Sequence, residues 1–228
     1  MNSARRITVL LAEDHEVVRE GIRKLLEAES DIKVIGDAAT GRQAVAMARK
    51  LRPDVVVMDI AMPLLNGLEA TRQIRQAIPD ARVLILSAHS DDAYAEKAMA
   101  LGAMGYLIKQ SSADLLSEAI RAVQKGKTFF SPTIAKRFHQ RRQKSLDRKG
   151  QPKTTGVRLS SREMEVLQLI AEGRANKQVA AELGISTKTV EKHRGHLMQK
   201  LDIHDTAGLT RYAIAAGIIE SSIQSTII

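Results

Sequence analysis

The sequence predicts an α/β domain with a doubly wound parallel sheet, followed by a small all-α helix-turn-helix domain. In the first part of the 228-residue chain, short apolar runs alternate with stretches of helical periodicity, as in five successive βα units. In the last third, only helical periodicity continues, after a basic stretch that contains glycine and proline. A chain of this length fits one large or two small domains.

The predicted strands are short apolar runs, which are typical of strands buried on both faces of a parallel sheet. Their bounds are Ile7–Ala12, Lys33–Ala38, Val55–Asp59, Val83–Ser87 and Gly105–Ile108. The helices that follow them are predicted over Glu16–Ala28, Gly41–Lys50, Gly67–Ala77, Asp91–Ala100 and Ala113–Lys125. In the first helix, Val18, Ile22, Leu25 and Leu26 share one face. Right-handed crossovers would place helices on both faces of the sheet.

Beyond the last strand, Thr133–Arg142 has the pattern of one short helix. A second domain begins near Leu159, where Ser160 and Glu163 have the spacing of a capping box. This helix ends near Gly173, and further helices are predicted over Asn176–Leu183, Thr187–Leu201 and Ala207–Ala216. We therefore divide the chain into residues 1–127, a basic linker over 128–156, and residues 157–228.

The net charge of +9 lies almost entirely in residues 136–158, which hold nine basic residues and one acidic residue. One interpretation is a solvated linker, and another is an arm that attracts nucleic-acid phosphates; the two are compatible. The chain has no cysteine, which excludes disulfides and zinc-thiolate sites. It shows neither a signal peptide nor a membrane span, so we expect a cytoplasmic protein without membrane contact.

Acidic residues follow two of the predicted strands. Glu13 and Asp14 come directly after the first strand, and Asp59 ends the third. Carboxyl ends of parallel strands meet at one sheet edge, where open α/β sheets bind ligands. Carboxylates crowded together repel one another, which indicates a bound cation, and Mg²⁺ suits oxygen ligands.

Two further strands end in residues that suit phosphate chemistry. Ser87 ends the fourth strand, and Lys109 follows the fifth. Asp59 would be the nucleophile of an aspartyl-phosphate, with Lys109 stabilising the charge. Taken singly, each residue has an ordinary structural explanation, such as a helix cap or an exposed lysine. Their convergence at matching strand ends favours phosphoryl transfer.

The same residues carry a resemblance to a known family. Residues 5–127 resemble the receiver domain of two-component response regulators, a flavodoxin-like fold, in Leu11–His15, Val57–Pro63, Leu86–Ala88 and Gly105–Lys109. The resemblance implies that Asp59 accepts phosphate from a sensor histidine kinase. It also implies Mg²⁺ ligation by Glu13, Asp14, Asp59 and the backbone carbonyl of Ala61. Ser87 and Tyr106 would form the switch pair, with Tyr106 swinging inward behind Ser87.

One position departs from the common pattern of receivers. Many receivers have a proline after the lysine, with a cis bond, whereas Gln110 follows Lys109 here. A cis bond without proline costs about 3–4 kcal/mol, so the local geometry is left open.

Residues 176–195 read as helix, turn, helix, with polar and basic side chains on the exposed positions of the second helix. A small helical bundle with an ordinary solvated face is the alternative. Leu159–Leu167 and Lys188–His193 resemble the LuxR-type output domain, which together with the receiver gives the NarL/FixJ architecture. The resemblance implies DNA contacts from the following residues: Lys188, Thr189, Glu191, Lys192, His193, Arg194 and Gly195.

The resemblance also implies contacts that hold and pair the domain. The family usually has serine or threonine at Ala175, so Asn176 is expected to act as the helix cap instead. The last helix would form the dimer contact through Leu209, Ala213 and Ala216, although these side chains could instead close the bundle. A dimer would bind double-stranded DNA on paired half-sites.

These expectations combine into a phosphorylation-controlled transcription regulator, active as a homodimer, that is not an enzyme beyond self-phosphorylation and dephosphorylation at Asp59. One alternative is a regulator that binds DNA independently of phosphorylation. Another is an aspartyl-phosphate phosphatase. Such phosphatases commonly carry a second acid two residues after the nucleophile, where Ala61 stands here.

Overall fold

A computed structural model of the chain describes residues 5–88, 91–110, 113–138 and 159–219. The chain forms two compact units. The strands, which we number β1 to β6, belong to the first unit: β1 Ile7–Ala12, β2 Ile32–Ala38, β3 Val55–Asp59, β4 Val83–Ser87, β5 Gly105–Ile108 and β6 Phe129–Phe130.

The sheet of the first unit is parallel throughout, with strand order β2-β1-β3-β4-β5-β6. The predicted doubly wound sheet is therefore confirmed. The strand order reverses between β1 and β3, and the crevice at such a switch point is where α/β sheets bind ligands.

The helices of the first unit are α1 Glu16–Glu27, α2 Gly41–Leu51, α3 Gly67–Ala77, α4 Asp92–Ala100, α5 Ala113–Gln124 and α6, which covers 132–138. Helices α1 and α5 pack on one face of the sheet, against side chains such as Val9, Val57 and Leu107. Helices α2 and α3 pack against each other, and α3 also contacts α4.

The predicted apolar face of α1 is only half correct. Ile22 and Leu26 are buried, but Val18 and Leu25 are 38% and 47% exposed. At the helical spacing of about 100° per residue, Val18 and Leu25 lie on one edge of the apolar stripe. The sheet therefore covers only the side of the stripe that carries Ile22 and Leu26.

Strand β6 was not predicted from the sequence. Phe130 pairs with Tyr106 of β5, and the Ser131 backbone N–H donates to the Tyr106 carbonyl at 3.0 Å. A strand of two residues is too short to show a period-2 pattern. Helix α6 follows it where Thr133–Arg142 was predicted. The rest of that segment, like most of the basic linker, lies outside the described residues.

The described helices of the second unit are α7 Ser161–Ala171, α8 Asn176–Leu183, α9 Thr187–Leu201 and α10 Thr206–Ala215. The predicted capping box is present at the start of α7. Ser160 Oγ accepts from the Glu163 N–H at 3.3 Å, and Glu163 Oε2 accepts from the Ser160 N–H at 2.8 Å. Val166, Leu169 and Val190 are among the fully buried side chains of this unit's core.

None of the helices in the described part of the chain is long and apolar enough to span a membrane.

Candidate functional site

The predicted acidic residues meet at the carboxyl edge of the sheet. Ala12 of β1 pairs with Met58 of β3, so Glu13 and Asp59 are next to each other beyond the last paired residues. Glu13 is 1% exposed and Asp59 is 3% exposed, whereas Asp14 is half-buried. Burying carboxylates this deeply is costly unless a cation compensates them.

Lys109 supplies a cation to this edge. Its Nζ lies 2.8 Å from Glu13 Oε2 and 3.0 Å from Asp59 Oδ2. The Lys109 backbone N–H donates to the Ser87 carbonyl at 2.8 Å, which fixes the lysine at the end of β5 beside β4. The chain therefore brings the proposed nucleophile, one acid of the pair and the lysine into direct contact.

The electrostatics of the cluster depend on burial as much as on charge. Burial raises the pKa of Asp59 to about 6, although the Lys109 ammonium opposes the rise. Burial alone would lower the pKa of Lys109, but attraction by Asp59 and Glu13 outweighs it and the pKa is raised. Lys109 is therefore a fixed positive charge at neutral pH.

Ser87 and Tyr106, the predicted switch pair, are in contact behind this cluster. Both side chains are fully buried. Burial raises the pKa of Tyr106 to about 12, and a side-chain hydrogen bond with Ser87 opposes the rise. Tyr106 thus already occupies the inward position that was expected only after the switch.

The contacts of Asp14 and His15 indicate whether this site suits a cation. His15 Nδ1 lies 3.0 Å from Asp14 Oδ1 and 3.3 Å from Glu13 Oε1, and the three residues offer ligand atoms within 4.8 Å of one another. Asp14 Oδ1 is buried and accepts no hydrogen bond, although His15 Nδ1 lies close to it. Carboxylate oxygens in this arrangement fit Mg²⁺.

Gly67 is a site residue that the sequence analysis missed. A Cβ at this position would lie 1.8 Å from the Asp59 carbonyl oxygen. The Gly67 N–H donates to the Ile60 carbonyl at 2.9 Å, and Ile60 N–H donates to Asp59 Oδ1 at 2.8 Å. The start of α3 therefore lies directly against the backbone of Asp59. A glycine at a helix start, soon after a strand-ending acid, is the available sequence signal.

Arg19 of α1 was also missed. Its Nη1 donates to the backbone carbonyl of Glu13 at 2.7 Å and to that of Asp14 at 3.2 Å. Periodicity assigns an arginine in an amphipathic helix to the solvated face, so no local signal pointed to this contact.

The sequence left open whether the peptide bond between Lys109 and Gln110 is cis or trans. The described part of the chain contains no cis peptide bond, so Lys109–Gln110 is trans. Lys109 reaches Asp59 and Glu13 with this bond in the trans form.

In the second unit, α8 and α9 form the predicted helix-turn-helix. Gly184 ends α8 at φ +62°, a left-handed conformation that glycine adopts without strain. The Ser186 side chain caps the start of α9, where its Oγ accepts a hydrogen bond from the Thr189 N–H at 3.1 Å.

Ala175, rather than Asn176, is the N-cap residue of α8, so the expectation for Asn176 was wrong. Asn176 is the first helical residue, and its Oδ1 instead accepts from Arg194 at 3.4 Å.

The predicted DNA-contacting residues lie on the outer part of α9. Lys188, Glu191, Lys192 and Gly195 are exposed, whereas Thr189, His193 and Arg194 are half-buried. Arg194 also donates to Thr206 Oγ1 at 2.7 Å, which ties α9 to the start of α10. Lys188, Glu191, Lys192 and Gly195 are therefore open to solvent, whereas Arg194 is held by contacts within its own unit.

The predicted dimer contact through α10 needs a correction. Leu209 and Ala213 are fully buried in the core of their own unit, and Ala216 is half-buried. Closing the bundle, the alternative left open above, accounts for Leu209 and Ala213. The exposed residues of α10 include Ala207, Arg211, Ile214 and Ala215. Sequence periodicity located the apolar face but could not say that this domain's own core covers it.

Comparisons with known proteins agree with both units. Residues 9–121 match the family described as response regulator receiver domain, and residues 157–213 match the bacterial regulatory proteins of the luxR family. The transcriptional regulatory protein LiaR of Bacillus subtilis is 39% identical over 207 residues, which cover 91% of this chain and 96% of LiaR.

Solved structures show the same relationship. A LuxR-family two-component response regulator from Aurantimonas sp. SI85-9A1 is 40% identical with a TM-score of 0.58, covering 60% of this chain and 98% of that chain. The two-component response regulator RcsB, in complex with DNA, is 28% identical with a TM-score of 0.55, covering 91% of this chain and 98% of that chain.

Proposed function

Because this chain belongs to the two-component response regulators that join a receiver domain to a LuxR-type DNA-binding domain, we propose that Asp59 is its phosphoacceptor. The observation that carries the proposal is the contact of Lys109 Nζ with both Asp59 and Glu13 at the switch point of the sheet. The protein is a phosphorylation-controlled DNA-binding regulator, and a sensor histidine kinase is the proposed phosphate donor.

In the proposed reaction, an Asp59 carboxylate oxygen attacks phosphorus and forms the aspartyl-phosphate, while the bond from phosphorus to its donor breaks. Lys109 remains charged and pairs with the phosphoryl oxygens, which lowers the energy of the transition state. The side chains of Glu13, Asp14 and Asp59, with the Ala61 carbonyl, are proposed to hold Mg²⁺. When bound, Mg²⁺ supplies positive charge to the phosphoryl oxygens.

Ser87 and Tyr106 are proposed to report the phosphate to the rest of the receiver. Ser87 ends β4 next to the end of β5, which Lys109 directly follows, so we expect the Ser87 hydroxyl to move toward a phosphoryl oxygen. A change at Ser87 reaches Tyr106 through their hydrogen bond. Phosphorylation would thereby shift the equilibrium between two conformations of the receiver, as a ligand does when it binds one conformation more tightly than the other.

The second unit is proposed to bind promoter DNA with α9 in the major groove. Glu191 and Lys192 would read base edges, with Gly195 allowing close approach. Lys188, Thr189, His193 and Arg194 would contact or support contact with the backbone. A homodimer on paired half-sites is proposed, with the exposed residues of α10 available for contact between two chains.

The test is intact mass after incubation with Mg²⁺ and acetyl phosphate, for wild type and Asp59→Asn. We expect one added phosphoryl group in the wild type only. DNA binding is then compared between the two forms of the wild type. Equal promoter affinity in both forms, together with unchanged binding by Asp59→Asn, would favour the phosphorylation-independent regulator instead.

The proposal excludes a separate enzyme activity. Ala61 stands where the second acid of an aspartyl-phosphate phosphatase would be needed to protonate the leaving group. Steady turnover of a phosphate ester by the purified protein would contradict this.

A further inference from the structure

Arg19 holds the backbone of the acidic pair rather than its side chains. Its Nη1 donates to the carbonyl of Glu13 at 2.7 Å and to the carbonyl of Asp14 at 3.2 Å. Its Nε lies 3.6 Å from Asp37 Oδ2, at the end of β2, and its side chain is only 15% exposed. The guanidinium is therefore fixed between α1, the loop after β1 and the neighbouring strand β2.

This arrangement is unusual for an arginine beside carboxylates. Bidentate pairing with a carboxylate is the strong interaction that a guanidinium normally makes. Here the donors of Nη1 are used on main-chain carbonyls, while Glu13 pairs with Lys109 and Asp14 Oδ1 accepts no hydrogen bond. Asp14 therefore keeps a carboxylate oxygen that a cation can use.

We propose that Arg19 is a positioning residue for the cation site, fixing the Glu13–Asp14 backbone so that both carboxylates converge with Asp59. The inference rests on the proposed function, because it takes that site to be the one that holds Mg²⁺. Residues that orient ligands without touching the metal typically change metal affinity about 10–100-fold when replaced.

A purely electrostatic role for Arg19 predicts the opposite sign. The guanidinium is bound to the loop that carries Glu13 and Asp14, so its positive charge disfavours a second cation there. Removing that charge would by itself strengthen metal binding, whereas loss of positioning weakens it. The sign of the change in affinity therefore separates the two roles.

Arg23 provides a matched control on the same helix. It pairs with Asp37, and with Glu27 at 3.5 Å. The described hydrogen bonds and ion pairs of Arg23 do not include the backbone of Glu13 or Asp14. Arg23→Gln removes one positive charge from the same surface, as Arg19→Gln does, but leaves the loop after β1 held.

The experiment measures Mn²⁺ binding to the full-length, unphosphorylated protein from the electron paramagnetic resonance signal of free Mn²⁺. Mg²⁺ affinity follows by displacement. We expect Arg19→Gln to weaken Mn²⁺ and Mg²⁺ binding about tenfold, and Arg23→Gln to leave it within about twofold of wild type. Affinity that is unchanged or tighter in Arg19→Gln would overturn the proposal.

A conservative variant keeps the test decisive if Arg19→Gln does not fold. Arg19→Lys keeps the charge and can donate to one carbonyl, so we expect an affinity between those of wild type and Arg19→Gln. Circular dichroism checks that each variant is folded, and if Arg19→Gln is not, the Lys variant decides by the same criterion. A wild type that binds no Mn²⁺ would overturn the cation site itself, whereas a wild type that binds and an Arg19 variant that binds equally would overturn only the role of Arg19.

Discussion

Lys109 Nζ lies 3.0 Å from Asp59 Oδ2, so the proposed nucleophile and its positive partner are already paired in the unphosphorylated chain. The pair does not restore Asp59 to ordinary acidity, since burial raises its pKa to about 6. The site is therefore held in an electrostatically unfavourable state that an added cation can relieve.

Asp59→Asn should stabilise the fold at neutral pH when Mg²⁺ is absent. Because its folded-state pKa is raised above the ordinary value of 3.8, protonated Asp59 favours folding. That contribution is fully present below about pH 4 and is lost as the pH rises through about 6. We expect Asp59→Asn to exceed wild type by about 2–3 kcal/mol at pH 8, and the gap to close toward pH 4. Urea unfolding in EDTA across this range measures it.

Asp54→Asn is the control of opposite sign. Burial alone would raise the pKa of Asp54, but hydrogen bonds from Thr8 N at 2.8 Å and Thr8 Oγ1 at 2.7 Å hold it below its ordinary value. Its stabilising contribution is present above that value and is lost as the pH falls. Asp54→Asn should therefore be less stable than wild type at neutral pH. A constant gap for Asp59→Asn between pH 4 and 8 would refute the account of Asp59.

Lys109→Ala should destabilise the receiver most strongly when Mg²⁺ is absent. The change leaves Glu13 and Asp59 buried without their cation, which costs roughly 3 kcal/mol by analogy with broken buried pairs. Added Mg²⁺ should recover part of the loss, because it supplies charge to the same oxygens. Urea unfolding in EDTA and in Mg²⁺ gives both values, and equal stability of variant and wild type in EDTA would contradict the role of the pair.

Ser87 and Tyr106 should be energetically coupled. Their side chains share a hydrogen bond in a fully buried setting, where such a bond contributes about 1 kcal/mol. We expect Ser87→Ala and Tyr106→Phe to lose less stability together than the sum of the two single changes. A double-mutant cycle by chemical unfolding measures the coupling, and strict additivity would show that the hydrogen bond does not link them.

Gly67→Ala should disrupt the Asp59 loop. The added Cβ would lie 1.8 Å from the Asp59 carbonyl oxygen, so backbone must move. We expect a loss of roughly 3 kcal/mol in stability and failure to accept phosphate from acetyl phosphate. Gly21→Ala, on α1, is the control, because its Cβ would have no heavy atom within 4 Å. That variant should gain up to about 1 kcal/mol and react normally.

The ends of β1, β3, β4 and β5 were predicted correctly because buried parallel strands are continuous apolar runs that stop where polar chemistry begins. The site was predictable for the same reason: Glu13, Asp59, Ser87 and Lys109 lie where such runs end. Arg19 and Gly67 were not, because their roles depend on contacts with backbone atoms of the loop after β1 and of the end of β3, which hydrophobic periodicity does not report. Leu209 was misassigned because an apolar helix face looks the same whether its own core or a second chain covers it.

Lys188 and Lys192 provide the sharpest test of the DNA interface. Both are exposed on α9, and each alanine variant removes one positive charge. Lys188→Ala, a proposed phosphate contact, should weaken binding equally for all sequences and lower the salt slope of log affinity by about 1. Lys192→Ala, a proposed base contact, should cost about 1–3 kcal/mol on the specific site and relax base preference at one position. Fluorescence anisotropy on a cognate and a scrambled duplex at several salt concentrations separates these outcomes. If the two variants behave identically on both duplexes, neither lysine reads a base and the orientation proposed for α9 is wrong.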